Sequence, residues 1–297
     1  MLIEELDRDD INTEILEDLK FHGDLIATEV EHMRPPNDYI EFLQEYIQWE
    51  TLSPYRVPRA SFLRETLKAM WHPTHRDNPF FGIKFIHKVP PKKLYRYMAF
   101  NQERIEKLLE GDLFLPCPAW FNDPFDSSLD EEIRLTFIES AMGCFSIEDD
   151  NILLYSHYAD NHRGICVGFN TNLLIETLTN SNKNLKADLR PVWYFSKMPP
   201  FNIKTHTALC ATSKHDVWSY ENEYRLFMVD TNDHLAPSGT YKFDSEAITD
   251  VICGCKSSDD TIRACKTLSK KLDSCERKVA QRKPSKFGVH LYTIIDK

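Results

Sequence analysis

The 297-residue sequence lacks the features that would send it out of the cytosol or into a membrane. Met1 to Asp10 alternates acidic and apolar residues, with no basic n-region and no long apolar stretch, so no export signal is expected. No run approaches the length of a membrane-spanning helix, so no membrane partner is expected. The glycine patterns of Rossmann and P-loop nucleotide sites are missing, as are internal repeats and low-complexity tracts. The eight cysteines are scattered, and Cys253-Gly254-Cys255 lacks CxxC spacing. Reduced thiols in the cytoplasm are the expectation. His157 and His162 lie five apart with no third ligand at a recognisable interval, so no metal is expected.

Charge is distributed unevenly. The whole chain carries -10, whereas residues 1–50 hold fifteen acids and three bases, a net of -12, which leaves +2 for the rest. Such an acidic front end does not track phosphates, and the near-neutral remainder shows no obvious basic stripe. A solvated helix surface and a face for a protein partner are the two readings of the acidic segment.

Periodicity divides the chain. Helical spacing of apolar residues runs through Asn12 to Glu31, Ile40 to Trp49 and Ala60 to Met70, and the string from His72 to Pro79 ends it. From Lys93 the pattern turns to strands with intervening helices. Leu94 to Tyr97, Leu113 to Leu115, Ala141 to Phe145, Gly164 to Phe169, Val192 to Phe195, Glu223 to Val229, Ile248 to Cys253 and His290 to Ile295 have strand character. Asn101 to Leu109 and Ser258 to Leu272 read as helices. The expectation is an α+β fold: an acidic helical N-terminal extension over 1–88, then a mixed β-sheet domain with flanking helices over 89–297.

Read in order, LYRY at 94–97, FNDPFD at 121–126, CFS at 144–146, YSHYADNHRGICVGF at 155–169, WSYENEYRLF at 218–227 and ITDVICG at 248–254 form a distinctive succession. It resembles a microbial family, the domain of unknown function numbered twenty-nine seventy-one, over about two thirds of the chain from Lys93 onward. That family carries no agreed activity.

Strand alternation through WSYENEYR would put Glu221, Glu223 and Arg225 on one face. Glu-x-Glu is similar to the acidic signature of arginine-type ADP-ribosyltransferases, where a fixed carboxylate stabilises the oxocarbenium cation that forms as the nicotinamide glycosidic bond breaks. A plain cross-strand charge ladder is the bland alternative. The order Arg96, Ser146, Glu223 also resembles the Arg, Ser, Glu triad of those enzymes, although Cys144-Phe145-Ser146 stands where Ser-Thr-Ser is usual. The resemblance implies an ADP-ribosyltransferase-like fold with NAD as substrate. Glu223 would be the catalytic carboxylate, Glu221 would orient an unknown macromolecular acceptor, Ser146 would position Glu223, and Arg96 would hold the phosphates. Tyr95, Asn122, Asp123, His157 and Tyr158 complete the expected nucleotide-binding set. An effector or defence role would suit such an enzyme.

Two alternatives stand beside it: a phosphodiester hydrolase with a divalent cation at Asp123, Asp126, Glu221 and Glu223, and a noncatalytic nucleotide-binding or interaction module. The transferase reading requires Arg96, Ser146 and Glu223 to converge on one cleft.

Overall fold

A computed structural model describes residues 91–126, 139–195, 211–230, 234–272 and 274–294. The helices expected over Asn12 to Met70, and with them the N-terminal extension, lie outside the described residues. The chain divides into two compact units. The described part of one comprises 91–120, 139–189 and 220–294, and that of the other 121–126, 190–195 and 211–219. Among the described residues no helix is long and apolar enough to cross a membrane.

The first unit is built on a mixed eight-stranded sheet. Its strands are β1 (Lys93–Met98), β3 (Met142–Ser146), β4 (Ile165–Asn170), β5 (Leu185–Pro191), β8 (Glu223–Asp230), β10 (Ile248–Cys253), β11 (Glu276–Arg282) and β12 (Val289–Thr293). They lie in the order β12-β11-β10-β4-β1-β3-β8-β5. The β10–β11 pair is parallel, and β1–β3, β1–β4, β4–β10, β3–β8 and β11–β12 are antiparallel. A separate ribbon pairs β2 (Asp112–Leu115) with β9 (Gly239–Lys242). The other unit holds a short parallel pair, β6 (Trp193–Phe195) with β7 (Ser213–His215). The α+β expectation thus holds in the described part.

Local sequence explains the elements that frame the sheet. In β4, Ile165 to Phe169 are all buried, the near-continuous apolar run of a strand covered on both faces. Helix α1 (Gln102–Leu109) starts where the Asn101 side chain accepts the Arg104 amide at 3.0 Å, and it buries Ile105, Leu108 and Leu109. It stops at Gly111, whose φ of 88° and close approach to the Phe243 carbonyl exclude a side chain. Helices α2 (Ile152–His157) and α3 (Thr171–Ser181) begin at the same kind of cap, Asn151 and Asn170. The late helix, α4, covers Asp259–Leu268 and passes into a 3-10 turn over Ser269–Lys271.

Cross-strand register decides which side chains share a face. Tyr95 lies opposite Ser146 and Gly168, and Cys166 lies opposite Ile252. Facing pairs point the same way, and next neighbours point oppositely. One face therefore carries Tyr95, Ser146, Cys166, Glu223 and Asp250, and the other carries Leu94, Arg96, Phe145 and Tyr224. Tyr155 and Ala159 pack on the first face against Tyr95, Cys166 and Ile252. Beside them the fully buried Asp250 accepts hydrogen bonds from Lys93 at 2.8 Å and Lys278 at 2.6 Å, tying β1, β10 and β11 together. Burial raises the pKa of that carboxyl, and the bonds from Lys278, Lys93 and Thr249 outweigh it, leaving the group below its ordinary value.

Candidate functional site

Chemistry-bearing side chains gather where β3 ends and β8 begins. Ser146 stands directly opposite Glu223 on the adjacent strand. Both are buried, and the Arg225 guanidinium grips Glu223 with Nε at 2.9 Å from Oε1 and Nη2 at 3.3 Å from Oε2. A two-pronged contact of this kind fixes the carboxylate. Arg225 is itself fully buried, so each charge compensates the desolvation of the other.

Glu221 reaches the same region by a route that strand alternation did not anticipate. β8 starts only at Glu223. Residues Asp216–Glu221 form a 3-10 helix, and Asn222 between them adopts a left-handed φ of 45°. Asn tolerates that conformation better than most residues, because its side chain can bond nearby polar groups. Here its amide donates to a Glu148 carboxylate oxygen. Glu221 is buried and accepts the Tyr158 hydroxyl at 2.6 Å.

The loop that follows β3 joins these parts. The Asn151 side chain caps α2 by accepting the Leu153 and Leu154 amides, and its amide donates to Glu148 at 2.7 Å and to the Tyr220 carbonyl at 2.8 Å. Tyr97 donates to the Glu148 carbonyl at 2.7 Å, Tyr155 donates to the Asp149 carbonyl at 3.1 Å, and the Glu148 amide donates to Ser146 Oγ at 3.1 Å. Burial, with Asp150 adding to it, raises the Asp149 pKa. Glu148 and Asn151 were not singled out from sequence, whereas Arg225 was expected on the Glu223 face, and its pairing with Glu223 is the contact that the bland charge-ladder reading anticipated. The signal for Asn151 was available, since Asp149-Asp150-Asn151 before Ile152-Leu153-Leu154 has the composition of an N-cap.

The other expected residues are placed in four different ways. His157 ends α2 with its ring 6.2 Å from Tyr158 and 6.3 Å from Tyr220, so it stays beside the site. Tyr95 shares the Ser146 face but is packed in the core against Tyr155. Arg96 is not brought to Ser146 and Glu223: one residue along from Tyr95, it leaves from the opposite face, donates to the Phe114 carbonyl at 2.8 Å and lies 5.9 Å over the Phe145 ring. Asn122 and Asp123 belong to the other unit. There Asp123 Oδ1 accepts the Phe125 amide at 2.9 Å and its carbonyl accepts the Asp126 amide at 3.2 Å, the turn chemistry that the FNDPFD composition implies. Asp126 pairs with buried Lys214 at 3.3 Å. Among the described residues no three His, Cys, Asp or Glu side chains are grouped to hold a metal ion.

The SHYADNHRG stretch has an unusual backbone. Asp160, Asn161 and His162 all have left-handed φ, at 46°, 52° and 71°, a run that polar residues with local bonds can sustain at some cost in strain. Amide bonds from His162 to the Tyr155 carbonyl, Gly164 to Ala159 and Lys256 to His162 hold it, and the His162 ring stacks on Tyr155 with Nε2 2.9 Å from Ser156 Oγ. A Cβ on Gly254 would fall 2.3 Å from the His162 carbonyl, which accounts for the glycine in Cys253-Gly254-Cys255. The turn thus ends α2, starts β4 and leaves Tyr158 beside Glu221.

Residues 154–226, spanning that turn and the Glu-x-Glu segment, match one family model. It is described as Protein of unknown function (DUF2971). The resemblance read from the motifs holds over this stretch, which contains His157, Tyr158, Glu221, Glu223 and Arg225 but neither Arg96 nor Ser146. No curated protein and no solved structure matches the chain.

Proposed function

We propose that the chain is an ADP-ribosyltransferase-like enzyme that breaks the nicotinamide N-glycosidic bond of NAD. The observation that carries the reading is the pairing of Ser146 with Glu223 on neighbouring strands of one face, with a second buried carboxylate, Glu221, two residues before Glu223 in the chain. Carboxylates held in place before the reaction complement a cation that forms only in the transition state, because no reorganisation is then needed. On this reading Glu223 meets the developing charge on the ribose, Ser146 positions it, and Glu221 with Tyr158 orients the acceptor, which is a macromolecule of unassigned class. The convergence of Arg96, Ser146 and Glu223 that the full Arg, Ser, Glu triad requires is not met, because Arg96 leaves from the opposite face; what is proposed is the narrower reading, glycosidic cleavage at the Ser146–Glu223 pair without that arginine.

A second reading, a noncatalytic nucleotide-binding or interaction module, is favoured by one specific feature. Glu223 is gripped by Arg225, Glu148 accepts from Asn151 and Asn222, and Glu221 accepts from Tyr158, so the network is also what a purely structural polar cluster requires.

The two are separated by incubating purified protein with NAD labelled in its adenylate, with and without cell lysate, beside Glu223→Gln and Glu221→Gln variants whose folding is checked by circular dichroism. The transferase reading expects free nicotinamide, with label on protein or nucleic acid, and loss of both in folded Glu223→Gln. NAD binding without nicotinamide release in the unaltered protein would select the noncatalytic module, and absence of both would reject each.

A further inference from the structure

The β11–β12 hairpin is chemically unlike the rest of this acidic chain. Between Arg277 and Lys286 the sequence has five basic residues and no acidic one. Lys278 is committed to Asp250 and Glu276. Arg282, Lys283 and Lys286 are at the hairpin tip, and among the described residues none of the three forms an ion pair. The turn is closed by the Lys283 amide on the Gly288 carbonyl at 3.0 Å and by the pairing of Arg282 with Val289.

Aromatic rings accompany these charges. Phe287 projects from the turn with 102 % relative exposure, the value of a side chain wholly in water. An apolar ring this exposed on a surface is the informative exception to burial. On β12, the sheet's outermost strand, His290 and Tyr292 share one face with ring centroids 6.2 Å apart, and Tyr292 is half exposed. Phe287 stands in the turn, while His290 and Tyr292 lie two residues apart on β12, about 7 Å at about 3.3 Å per residue and on the face opposite Arg282, so the rings are not gathered at one point.

We infer that this hairpin is a binding site for single-stranded nucleic acid. Cations track the phosphates, while flat exposed rings stack on successive bases, a combination tolerant of sequence because every base has a π-face. A membrane anchor would concentrate its apolar groups at the tip, whereas here two of the three rings lie back along the strand. The inference is independent of whether the carboxylate site turns over NAD.

The test is fluorescence anisotropy with short labelled oligonucleotides of mixed sequence, DNA and RNA, titrated across a range of salt. Binding is expected to weaken as salt rises. The triple variant Arg282→Ala, Lys283→Ala, Lys286→Ala should bind more weakly, with a slope of log affinity against log salt shallower by about 2, from roughly 0.7 per phosphate contact. Phe287→Ala should weaken binding by roughly 5- to 150-fold at unchanged salt slope, the range for one stacked base. Arg282, Lys286 and Phe287 are exposed and Lys283 is half-buried, so unfolding curves should match those of the unaltered protein, and a loss of binding with a matching curve cannot be ascribed to misfolding. Absence of oligonucleotide binding at low salt, affinity unchanged in the triple variant, or Phe287-dependent association with phosphatidylserine vesicles in place of oligonucleotides would overturn the inference.

Discussion

The cluster around Glu148, Glu221 and Glu223 and the β11–β12 hairpin tip are both rich in charge, but they manage it in opposite ways. In the cluster, buried Glu221 and Glu223 and half-buried Glu148 are bonded to Tyr158, Arg225, Asn151 and Asn222, so their positions are set and removing any member breaks a bond to a carboxylate. At the tip, Arg282, Lys283 and Lys286 stand in solvent, where water and counterions satisfy them and a polyanion can displace those counterions. Charge that is bonded internally supports precise geometry, and charge left to the solvent supports recognition. Substitutions should therefore separate the two regions: those in the cluster should cost stability, and those at the tip should cost only binding.

The largest effect is expected for Arg225→Met, which removes the two-pronged cationic partner of buried Glu223 and should lower unfolding free energy by about 3–5 kcal/mol in urea titration. A loss below about 1 kcal/mol would mean that Glu223 is solvated or protonated there. Next comes Tyr158→Phe, which removes a hydroxyl donor from the buried Glu221 carboxylate and should cost about 1.5–3 kcal/mol by the same measurement. At Asn222 the left-handed backbone and the side-chain bond to Glu148 can be told apart. Asn222→Gly keeps the conformation and loses the bond, so it should be the milder change, by on the order of 1 kcal/mol, than Asn222→Val, which loses both. Equal losses would show that backbone strain at residue 222 is unimportant. Against these, Phe287→Ala should leave stability within about 0.5 kcal/mol, since nothing packs on the ring.

The smallest effect is a pH dependence in the left-handed turn. Burial, and to a lesser extent Lys256, lowers the His162 pKa below its ordinary 6.5. The unfolded chain then binds a proton more readily than the folded one, so this residue's contribution is intact above about pH 6.5 and is lost as pH falls through the lower, folded-state value. Comparison of unfolding midpoints across that window, with and without His162→Gln, should show a shallower acid decline in the variant. An identical decline would place the titration elsewhere.

Much of the fold was legible because strand and helix patterns are local. The apolar run of β4, the Asn101 cap and the stop at Gly111 all act within a few residues of their own position. What was not legible depends on register. Tyr95 lies opposite Ser146, so Arg96, one residue further, must face away, and motif order along the chain carries no record of that parity. The alternation assumed through WSYENEYR failed at Asn222, whose left-handed turn starts β8 two residues later than a continuous strand would. Of the three residues expected to converge, Ser146 and Glu223 do face each other, because both sit at adjoining strand ends, and Arg96 does not join them. The basic hairpin escaped notice for a different reason: averaged over residues 51–297 its charge is cancelled, and only folding sets Arg282, Lys283 and Lys286 at the tip beside Phe287.

The assignment of chemistry to the Ser146–Glu223 face, and not to the face of Arg96, is tested most directly by nicotinamide release from NAD measured side by side in the unaltered protein, Arg96→Lys and Glu223→Gln, each shown to be folded. The account predicts release by the unaltered protein, a rate retained within about threefold in Arg96→Lys, and a fall of about a hundredfold or more in Glu223→Gln, the scale seen when a preorganised electrostatic group is removed. Release that survives Glu223→Gln, or that is lost in Arg96→Lys, would contradict it.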